Sequence, residues 1–521
     1  MIFYGILVAL VLYVWLNDKA VRHVPRSVLA LSPRRWTSDD FRRVVKDLEK
    51  EVDTMEERKK VQTPPKTGRR YIVVGGSGFL GGWIVIQLLQ RGEDSKKIRI
   101  LDVRPPIRKD LTVGKAKEVQ FVKVDISDKN SVEAAFEAPW PETGSQDAVP
   151  EVTVIHTAAI IRFHERHRIF LKMSEKVNVL GTQNIIDAAR KIGATALVAT
   201  SSGSVAHWMP GSQIMWPWQW PWFTNLFGVE HGRSRLVQVL GDQEAGGENE
   251  SERGALPKNL EDFATLYSYT KLAAERLVRS AHKSPTGSSG SKLLRTGALR
   301  PVNAIYGPGA DSFDFFFESG ENNVSLSDHS FLNQCNVENC ALAHLLYEKC
   351  LIDPSGPGPD VGGQAFTITD PGPPITWPDC HLALAYFVDH FSKGKAKYGI
   401  KPVSPTIISA IANINETYYV TRFKMRSSPS TLIRRIGSFI PPLPALLVPL
   451  QPSTIGLSTI HPLVDDSRAR LPVEKGGLGY VGVVDTMEGV ARCAKQYHEQ
   501  GSLRPDGVGI LSLYVQAESE S

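Results

Sequence analysis

Tyr267 and Lys271 carry the side chains needed to exchange a proton with an alcohol. They open a helical pattern, and residues four apart lie on one face of a helix. A phenol with an ordinary pKa of about 10 is a poor base at neutral pH, but a neighbouring ammonium group stabilises its phenolate. Tyr267 can then take the proton of a substrate hydroxyl. Tyr269 is excluded from this role because Ala273, not a cation, lies four residues after it.

A run of hydroxyl side chains follows the apolar segment of residues 196–199, which is typical of a buried strand. The run consists of Thr200, Ser201 and Ser202. A hydroxyl from Ser202 would hold the substrate oxygen and stabilise the charge that develops on it. We therefore predict Tyr267, Lys271 and Ser202 as the catalytic residues.

A glycine-rich turn lies between a short apolar strand, residues 71–74, and a helical pattern. This order indicates a dinucleotide site. Gly75 permits the tight turn, Gly78 lets a pyrophosphate approach the backbone, and Gly81 allows close packing of helix and strand. The helix then begins with Phe79 and Leu80, so that its first amides and positive dipole end face the phosphates. The hydride leaving the alcohol carbon would pass to a nicotinamide held here.

The strand of residues 98–101 ends in Asp102, 21 positions after Gly81. A carboxylate at that place accepts hydrogen bonds from a ribose 2′-hydroxyl and repels a 2′-phosphate, which favours NAD over NADP. Arg104 lies two residues further on and could instead pair with a 2′-phosphate. NADP therefore stays open as an alternative.

Two further strand ends carry predicted cofactor contacts. Asp125 and Ile126 follow the third strand, where the carboxylate would either meet the adenine edge or cap the next helix. Small side chains follow the fourth strand and leave room for a cofactor ribose, namely Thr157, Ala158 and Ala159.

The alternation of strands and helices predicts an α/β fold, a doubly wound parallel sheet with a smaller interleaved C-terminal substrate region and an N-terminal anchor helix. We predict an anchor over residues 1–25, an amphipathic spacer over 26–68, and a cofactor-binding domain over 69–310 with an insertion at about 206–258. The substrate region is expected over 311–521, with an extra hydrophobic segment at about 400–460.

The composition of the 521 residues excludes several classes of protein. Hydrophobic residues make up 42% and charged residues 22%, so the chain is not wholly disordered, collagenous or a multi-span membrane protein. Its five cysteines form no CxxC pair, which argues against a disulfide scaffold and against structural zinc. The net charge is only +5 and concentrates before residue 70, so no nucleic-acid groove is expected.

Residues 2–16 carry no charge, and basic side chains follow them. An uncleaved membrane anchor is the favoured interpretation, with a buried N-terminal helix as the alternative. The positive flank would leave the rest of the chain in the cytosol. Apolar residues from Phe41 to Met55 then recur at helical spacing, with Thr37 or Ser38 placed to cap. This spacer would lie on the membrane or pack on the domain.

Two unusual segments interrupt the later pattern. Residues 209–223 carry four tryptophans between prolines, which suits an interfacial membrane contact or a hydrophobic lid, with core packing as the alternative. Residues 436–450 contain four prolines and so make a poor membrane span. This second segment would lie on the membrane or over the substrate cavity.

Taken together, the GxxGxxG turn, the Thr-Ser-Ser strand end and the Tyr-x-x-x-Lys helix resemble the 3β-hydroxysteroid dehydrogenase branch of the extended short-chain dehydrogenases. That branch includes sterol-4α-carboxylate 3-dehydrogenases. The resemblance covers about residues 69–500 with gaps, and further segments carry it: 299–308, 337–344, 363–370, 478–480 and 488–490. Val74 departs from the pattern, since this family usually has threonine before the first glycine.

The resemblance implies Tyr267 as acid and base, Lys271 as its activator, and Ser202 as the hydroxyl partner, or Ser201 if the register differs by one. It also implies that Pro301 lines the nicotinamide. Asn178 corresponds to a residue that holds a relay water in shorter relatives, with a role at a helix start as the alternative. The implied cofactor is NAD or NADP, and the implied substrate is a sterol-like secondary alcohol.

The leading hypothesis is a dehydrogenase that oxidises a 3β-hydroxyl of a sterol. If that sterol carries a C4 carboxylate, the product is a β-keto acid that loses CO₂ readily. Arg162, Arg166 and Arg168 could bind this carboxylate, or they could form a solvated basic helix face. An NADPH-dependent ketoreductase of specialised metabolism is the alternative enzyme, and a catalytically silent NAD(P)-sensing scaffold is the alternative of another class.

The expected partners are the sterol-like substrate, the membrane, and a second copy of the chain or a biosynthetic complex. The membrane contact would be made by the N-terminal helix and by the Trp-rich and Pro-rich segments. The expected location is the endoplasmic reticulum, with the catalytic domain in the cytosol.

Overall fold

The structure is a computed structural model, and it describes residues 1–50, 54–141, 150–208, 237–240, 256–309, 316–326, 328–353, 356 and 358–501. The Trp-rich segment of residues 209–223 lies outside the described residues. In chain order, the strands are β1 (Arg70–Val74), β2 (Ile98–Asp102), β3 (Gln120–Lys123), β4 (Val152–His156), β5 (Ala196–Thr200), β6 (Val237–Leu240), β7 (Ser284–Thr286), β8 (Lys292–Pro301), β9 (Ile305–Tyr306), β10 (Asn323–Ser325), β11 (Phe331–Leu332), β12 (Cys335–Asn336), β13 (Ala365–Ile368), β14 (Ile375–Thr376), β15 (Ile400–Pro402) and β16 (His461–Val464).

The α-helices of the described residues are α1 (Ile2–Val21), α2 (Arg26–Leu31), α3 (Ser38–Leu48), α4 (Thr54–Gln62), α5 (Phe79–Gln90), α6 (Lys129–Glu137), α7 (Leu171–Ser174), α8 (Gly181–Lys191), α9 (Leu266–Ser280), α10 (Val337–Ile352), α11 (Trp377–Phe391), α12 (Pro405–Arg426), α13 (Thr431–Ser438), α14 (Pro452–Ser458), α15 (Ser467–Arg470) and α16 (Thr486–Gln500). A wider helical turn, Glu175–Leu180, joins α7 to α8 without a break.

A parallel sheet in the order β3-β2-β1-β4-β5-β8-β13 forms the centre of the protein, and β7 pairs with β8 in the antiparallel sense. The order reverses beside β1, which is flanked by β2 and β4. In open parallel sheets, ligands bind outside the carboxyl ends of the strands at such a reversal. The predicted doubly wound α/β fold is confirmed.

Helices cover both faces of this sheet because its strands are apolar on both sides. In β1, Tyr71 and Val73 pack with α5 and α10, whereas Ile72 and Val74 pack with α6, α8 and α9. Successive side chains of a strand point to opposite faces, so a continuous apolar run requires two helical layers. The last strand of the sheet, β13, comes from the region after residue 311.

The spacer packs on the domain as two helices, α3 and α4. Thr37 caps α3, and its hydroxyl accepts a hydrogen bond from the amide of Asp40. Phe41 is buried against Phe387 of α11. The Nζ atom of Lys59 on α4 lies 3.0 Å from a carboxylate oxygen of Glu338, and both side chains are buried.

The helix α1 is different from all of these because most of its side chains are exposed. Among the described residues, one helical stretch, Ile2–Leu31, is long and apolar enough to cross a membrane by length and composition. Only its C-terminal end is buried, at Asn17, Ala20 and Val21. The alternative of a buried N-terminal helix is therefore wrong for residues 2–16.

Candidate active site

The glycine turn between β1 and α5 places backbone against backbone. Gly75 has φ +83°, and a Cβ atom there would lie 2.6 Å from Oγ1 of Thr157 and 2.7 Å from the amide nitrogen of Ala158. A Cβ atom on Gly81 would lie 2.2 Å from the backbone oxygen of Gly75. These distances leave no room for a side chain, so the glycines keep the first turn of α5 close to the end of β1.

Gly78 is the N-cap residue of α5 and has no side chain to satisfy the first amides of the helix. The amides of Phe79 and Leu80 therefore begin the helix without a side-chain cap, which is the arrangement that receives a phosphate group. A dinucleotide pyrophosphate fits this turn because the missing Cβ atoms leave the backbone accessible at Gly75 and Gly78.

Arg108, which the sequence did not single out, supports the same turn. Its buried guanidinium group donates to the backbone oxygen of Phe79 at 2.9 Å and to Asp110 at 3.0 Å. It also lies over the ring of Trp83. Its position could not be found from the sequence because the loop after β2 has no regular pattern.

Asp102 lies at the end of β2 beside the glycine turn. Its carboxylate accepts hydrogen bonds from the amides of Ser77 (3.1 Å) and Val103 (2.8 Å). Burial raises the pKa of this carboxyl group, against these hydrogen bonds and the positive charge of Arg104. The structure therefore brings Asp102 to the cofactor turn, whereas the side chain of Arg104 is exposed.

Asp125 and Ile126, at the end of β3, have separate surroundings. Asp125 is exposed and accepts from the amide of Ser127 at 2.9 Å, which stabilises a turn. Asp128, not Asp125, caps α6, so the alternative of a helix cap at Asp125 is wrong. Ile126 is buried, and a Cβ atom on Gly181 would lie 2.8 Å from its side chain.

The small residues after β4 begin in contact with the glycine turn, where the Thr157 hydroxyl lies 3.3 Å from the backbone oxygen of Gly75. Thr157 donates its hydroxyl to the backbone oxygen of Val74 at 2.9 Å, and Ala158 and Ala159 follow it, half-buried. The amide side chain of Asn178 then holds the next residue, Ile160, by accepting from its N–H (2.9 Å) and donating to its oxygen (3.1 Å).

Asn178 is also tied to α9, since it donates to Oγ1 of Thr270 at 3.1 Å. Its backbone oxygen accepts the hydroxyl of Thr182 at 2.6 Å. The residue lies within the continuous helical stretch from α7 to α8, so the alternative role at a helix start is wrong. Its side chain instead fixes the loop after β4 against the helix that carries Tyr267.

Tyr267 and Lys271 are both buried in the first turns of α9, which Thr265 caps. Burial raises the pKa of Tyr267 to about 12, and a hydrogen bond with the Ser202 side chain acts in the opposite direction. The Nζ atom of Lys271 donates to the backbone oxygen of Thr200 at 2.6 Å. The structure therefore brings all three predicted catalytic residues to the end of β5.

The register of the two serines follows from their partners. Ser201 is buried and donates its hydroxyl to Glu275 at 2.6 Å, away from the phenol. Ser202 hydrogen-bonds Tyr267 and also lies 2.9 Å, oxygen to oxygen, from the hydroxyl of Ser204. Ser202 is therefore the hydroxyl placed beside the phenol, and Ser201 belongs to a second buried cluster.

That second cluster is an ion pair beneath Lys271. The carboxylate of Glu275 accepts two hydrogen bonds from Arg300, at 2.8 and 2.6 Å, and both side chains are fully buried. Burial lowers the pKa of Lys271 to about 8, while the charge of Glu275 raises it. The ammonium form of Lys271 is thus stabilised by a carboxylate that Arg300 holds in place.

His156, at the end of β4, borders a small buried cavity together with Lys271. Because Thr182 gives its hydroxyl hydrogen to Asn178, the Nε2 atom of His156, 3.0 Å from the Thr182 oxygen, must carry the ring hydrogen. Burial and the charge of Lys271 lower the pKa of His156 to about 3, so the ring is neutral. Nothing in the sequence indicated that His156 would border this cavity as a neutral ring.

Pro301 is buried at the end of β8, which pairs with β5, the strand that precedes Ser202. Asn303 and Ala304 follow it with positive φ angles of 49° and 66°. Such angles are uncommon for residues with side chains, and they bend the chain sharply after Pro301. An aromatic contact was also missed from the sequence, because the ring of Phe163 lies 4.8 Å from the ring of Tyr267.

The three arginines after β4 do not form a solvated helix face. Arg162 is buried and donates to Glu165 and to the hydroxyl of Tyr419, the latter at 2.9 Å. Arg166 makes two hydrogen bonds to Glu416, at 2.7 and 2.6 Å, and Arg168 is exposed. For Arg162, both the predicted binding of a substrate carboxylate and the alternative of a solvated helix face are wrong, because its charge is already paired within the protein.

A cavity of about 570 Å³ lies between the start of α9, the loop after β4 and α12. Its lining includes Arg168, Phe263, Thr265, Leu266, Val420 and Lys424. Thr265 and Leu266 directly precede Tyr267, so the cavity adjoins the catalytic turn. The lining carries charges of both signs, since Arg166 is paired with Glu416, and Arg168, Lys424 and Glu261 are exposed. With its apolar residues, the cavity suits an apolar molecule that carries a polar group.

Comparison with known families gives two matches. Residues 72–216 and 237–394 match the 3-beta hydroxysteroid dehydrogenase/isomerase family. Residues 145–288 match an NAD-binding family described as Male sterility protein.

Several curated relatives are similar at low identity. The 3beta-hydroxysteroid-dehydrogenase/decarboxylase isoform 2 of Arabidopsis thaliana is 26% identical over 82% of this chain and 62% of its own length. Sterol-4-alpha-carboxylate 3-dehydrogenase, decarboxylating, of Candida albicans is 27% identical over 59% of this chain and 71% of its own. This chain therefore spans less than two thirds of the Arabidopsis relative.

Solved structures are more distant. UDP-glucose 4-epimerase of Thermotoga maritima, solved with UDP-glucose, is 14% identical and has a TM-score of 0.47. The match covers 82% of this chain and 99% of that one.

Proposed function

This chain belongs to the 3-beta hydroxysteroid dehydrogenase/isomerase family, and we propose that it oxidises the 3β-hydroxyl of a sterol. It is an NAD(P)-dependent oxidoreductase that acts on CH–OH groups. One observation carries the proposal: Tyr267 is hydrogen-bonded to Ser202 at the strand end to which Lys271 is bonded. A phenol, a hydroxyl and an ammonium group at one point are suited to removing the proton of an alcohol.

In the proposed reaction, Ser202 and Tyr267 both hydrogen-bond the substrate oxygen. Tyr267 accepts the hydroxyl proton as the carbon loses its hydride, and Ser202 stabilises the charge on the oxygen. Bound NAD(P) supplies the hydride acceptor. Because burial raises the pKa of Tyr267 to about 12, the phenolate needs nearby positive charge. Lys271 supplies that charge; burial lowers the pKa of its ammonium group to about 8, and the charge of Glu275 opposes this shift.

NAD is the proposed cofactor rather than NADP. Asp102 lies at the glycine turn with its carboxylate fixed by two amides, and a ribose 2′-hydroxyl could donate to its oxygens. A 2′-phosphate at the same place would meet a negative charge. Phe79, Leu80, Thr157, Ala158 and Pro301 would line the rest of the dinucleotide site.

We propose sterols with an acidic group at C4 as the substrate class. The Arabidopsis relative is described as a decarboxylase and the Candida relative as decarboxylating, which supports this proposal. Oxidation at C3 of such a sterol gives a β-keto acid, which loses CO₂ without a further catalytic group. Arg168 and Lys424 in the adjoining cavity would attract the carboxylate.

Location and organisation complete the proposal. Residues 1–25 would anchor the protein in the endoplasmic reticulum membrane, with residues 26–68 as a spacer and the remaining chain in the cytosol. Residues 69–310 would bind the cofactor, and residues 311–521 would shape the substrate site. A homodimer or a biosynthetic complex would bring the enzyme to its membrane-dissolved substrate.

The test is reduced-cofactor formation by detergent-solubilised full chain with a 4α-carboxy-3β-hydroxysterol, with NAD and NADP in parallel. The 3α-epimer is the matched control substrate, because it differs only at the reacting carbon. We expect NADH formation with the 3β-sterol alone, and release of label from a ¹⁴C-carboxyl group in equal amount.

Three other outcomes would contradict the proposal. Equal rates with both epimers would rule out the proposed specificity for the 3β-hydroxyl. NADH formation without release of label would rule out the proposed decarboxylation. Turnover of unrelated ketones with NADPH but of no sterol would replace the proposal with a ketoreductase.

A further inference from the structure

The polar end of α1 is joined to the first turn of α12. Asn17 donates to Oγ1 of Thr406 at 2.6 Å, and the amide of Thr406 donates to Asp18 at 3.0 Å. Asn17 and Asp18 come directly after the apolar stretch of α1, which ends with Trp15 and Leu16. If α1 is inserted in a bilayer, Thr406 must therefore lie at the level where that helix leaves the hydrocarbon.

An apolar stripe on α12 begins at the next residue. Ile407, Ile411 and Ile414 follow one another by four and three positions, so they share one face of the helix. All three are exposed, and Ile414 is 69% exposed. The stripe covers about 10 Å at 1.5 Å per residue.

On the next turns of α12, the same face packs against α13 and the residues that follow it. Tyr418 donates its hydroxyl to the backbone oxygen of Pro441 at 2.7 Å, and Arg422 donates to that of Ile440 at 3.1 Å. A Cβ atom on Gly437 would lie 2.8 Å from Cβ of Met425, so α13 is closely packed on the end of α12. Tyr418, Arg422 and Met425 continue the spacing of the isoleucine stripe.

The helix α13 adds a second set of exposed apolar side chains to this face. They are Leu432, Ile433, Ile436 and Phe439, and Phe439 is 79% exposed. Single exposed apolar side chains are ordinary, but seven of them on two helices that pack together are not. We name these four residues together with Ile407, Ile411 and Ile414 the α12–α13 face.

The charge around the face is mainly positive. Residues 417–464 contain no Asp or Glu, and their basic residues are Arg422, Lys424, Arg426, Arg434 and Arg435. The two acidic residues beside the isoleucine stripe are bonded within the protein, Asp18 to Thr406 and Glu416 to Arg166. A helical surface with exposed apolar side chains and basic neighbours binds to anionic lipid headgroups. Such a surface does not suit a basic or a strongly polar protein partner.

We propose that the α12–α13 face is a second membrane contact, in which its seven apolar side chains enter the headgroup region of an anionic bilayer beside α1. This inference rests on the proposed insertion of α1. The same helix α12 contributes Val420 and Lys424 to the cavity next to Tyr267. The contact would hold that cavity at the bilayer surface, where a sterol can enter it.

The experiment places an environment-sensitive fluorophore at single exposed positions of the full chain. The five native cysteines are buried, so an introduced cysteine is labelled selectively. Ile414→Cys and Phe439→Cys report on the α12–α13 face, and Leu10→Cys reports on α1. Leu382→Cys on α11 is the matched control, because Leu382 is a 58% exposed apolar residue outside the face.

The labelled proteins are reconstituted in vesicles of phosphatidylcholine with phosphatidylserine that contain spin-labelled lipid. We expect quenching and a blue shift at positions 10, 414 and 439, and neither at position 382. Arg434→Glu with Arg435→Glu should reduce the quenching at position 439, and so should vesicles of phosphatidylcholine alone.

Several results would overturn the inference. If only position 10 is quenched, α1 is inserted and the second contact does not exist. If position 10 is not quenched, the proposed anchor itself fails. A blue shift at positions 414 and 439 that appears without lipid and grows with protein concentration would assign the face to a second copy of the chain.

Discussion

The Nζ atom of Lys271 lies 2.6 Å from the backbone oxygen of Thr200. This hydrogen bond joins α9 to the end of β5, two residues before Ser202. The phenol of Tyr267, one helical turn before Lys271, is thereby brought to the Ser202 hydroxyl. The fold thus positions three polar groups from two elements at one point.

The first prediction concerns the buried charge of Lys271. Its pKa is lowered from 10.5 to about 8, so between these values the unfolded chain binds more protons than the folded one. The free energy of unfolding should therefore rise with pH in this window, because the burial penalty on the ammonium group is relieved. Lys271→Met removes the titrating ammonium group, so its free energy of unfolding lacks this pH-dependent contribution. Between about pH 7.5 and 9.5, Tm of the wild type should gain a few degrees relative to the variant.

The matched control is Lys349→Met, which removes an exposed ammonium group from α10. Its Tm should follow that of the wild type across the same pH range. A constant difference between wild type and Lys271→Met at all pH values would mean that the folded chain does not lower the pKa of Lys271.

The second prediction concerns cofactor preference. Asp102→Asn removes the negative charge beside the glycine turn, so NADP should be repelled less and a ribose hydroxyl should be bound less well. We expect the ratio of kcat/KM for NAD to that for NADP to fall at least tenfold, which is about 1.4 kcal/mol. Arg104→Gln is the control, and it should leave the kinetics with NAD unchanged. A large rise of KM for NAD in the Arg104 variant would contradict the assignment.

The third prediction concerns the glycine turn. In Gly81→Ala the new Cβ atom would lie 2.2 Å from a backbone oxygen, which cannot rotate away. In Gly82→Ala it would lie 2.8 Å from Cδ1 of Leu111 and 3.0 Å from a guanidinium nitrogen of Arg108, both at the ends of flexible side chains. The first variant should lose about 1–3 kcal/mol of stability, as overpacking commonly costs, and should bind NADH poorly. The second variant should lose less stability in thermal unfolding and less NADH affinity in a fluorescence titration. Equal losses in the two variants would refute the close approach at Gly81.

The parts of the site that lie on regular elements could be predicted from the sequence. The strand, glycine turn and helix around Gly75 form a local pattern, and Asp102 ends the next apolar run. The doubly wound sheet followed from the same alternation. Thr37 could be recognised as a cap because the acidic residue three positions later completes a capping box.

The parts that depend on distant partners could not be predicted. Arg162 is buried with Glu165 beneath Tyr419, which lies 257 positions away, so its charge seemed available from the sequence. Ser201 and Ser202 are indistinguishable locally, and only Glu275 and Tyr267 on α9 separate their roles. The tautomer of His156 depends on the hydroxyl of Thr182, which comes from another element. Tertiary contacts of this kind leave no periodic signal in the sequence.

The central claim is that Tyr267 exchanges the proton of the substrate hydroxyl. Its most direct test compares Tyr267→Phe with Tyr269→Phe in sterol-dependent NADH formation, with NADH binding measured alongside. Tyr269 lies on the same helix but packs on Phe263, so its variant controls for loss of a phenol from α9. The account predicts that kcat falls by about 100-fold to 10,000-fold in Tyr267→Phe alone, while both variants bind NADH normally. A Tyr267→Phe enzyme that keeps the wild-type kcat would contradict it.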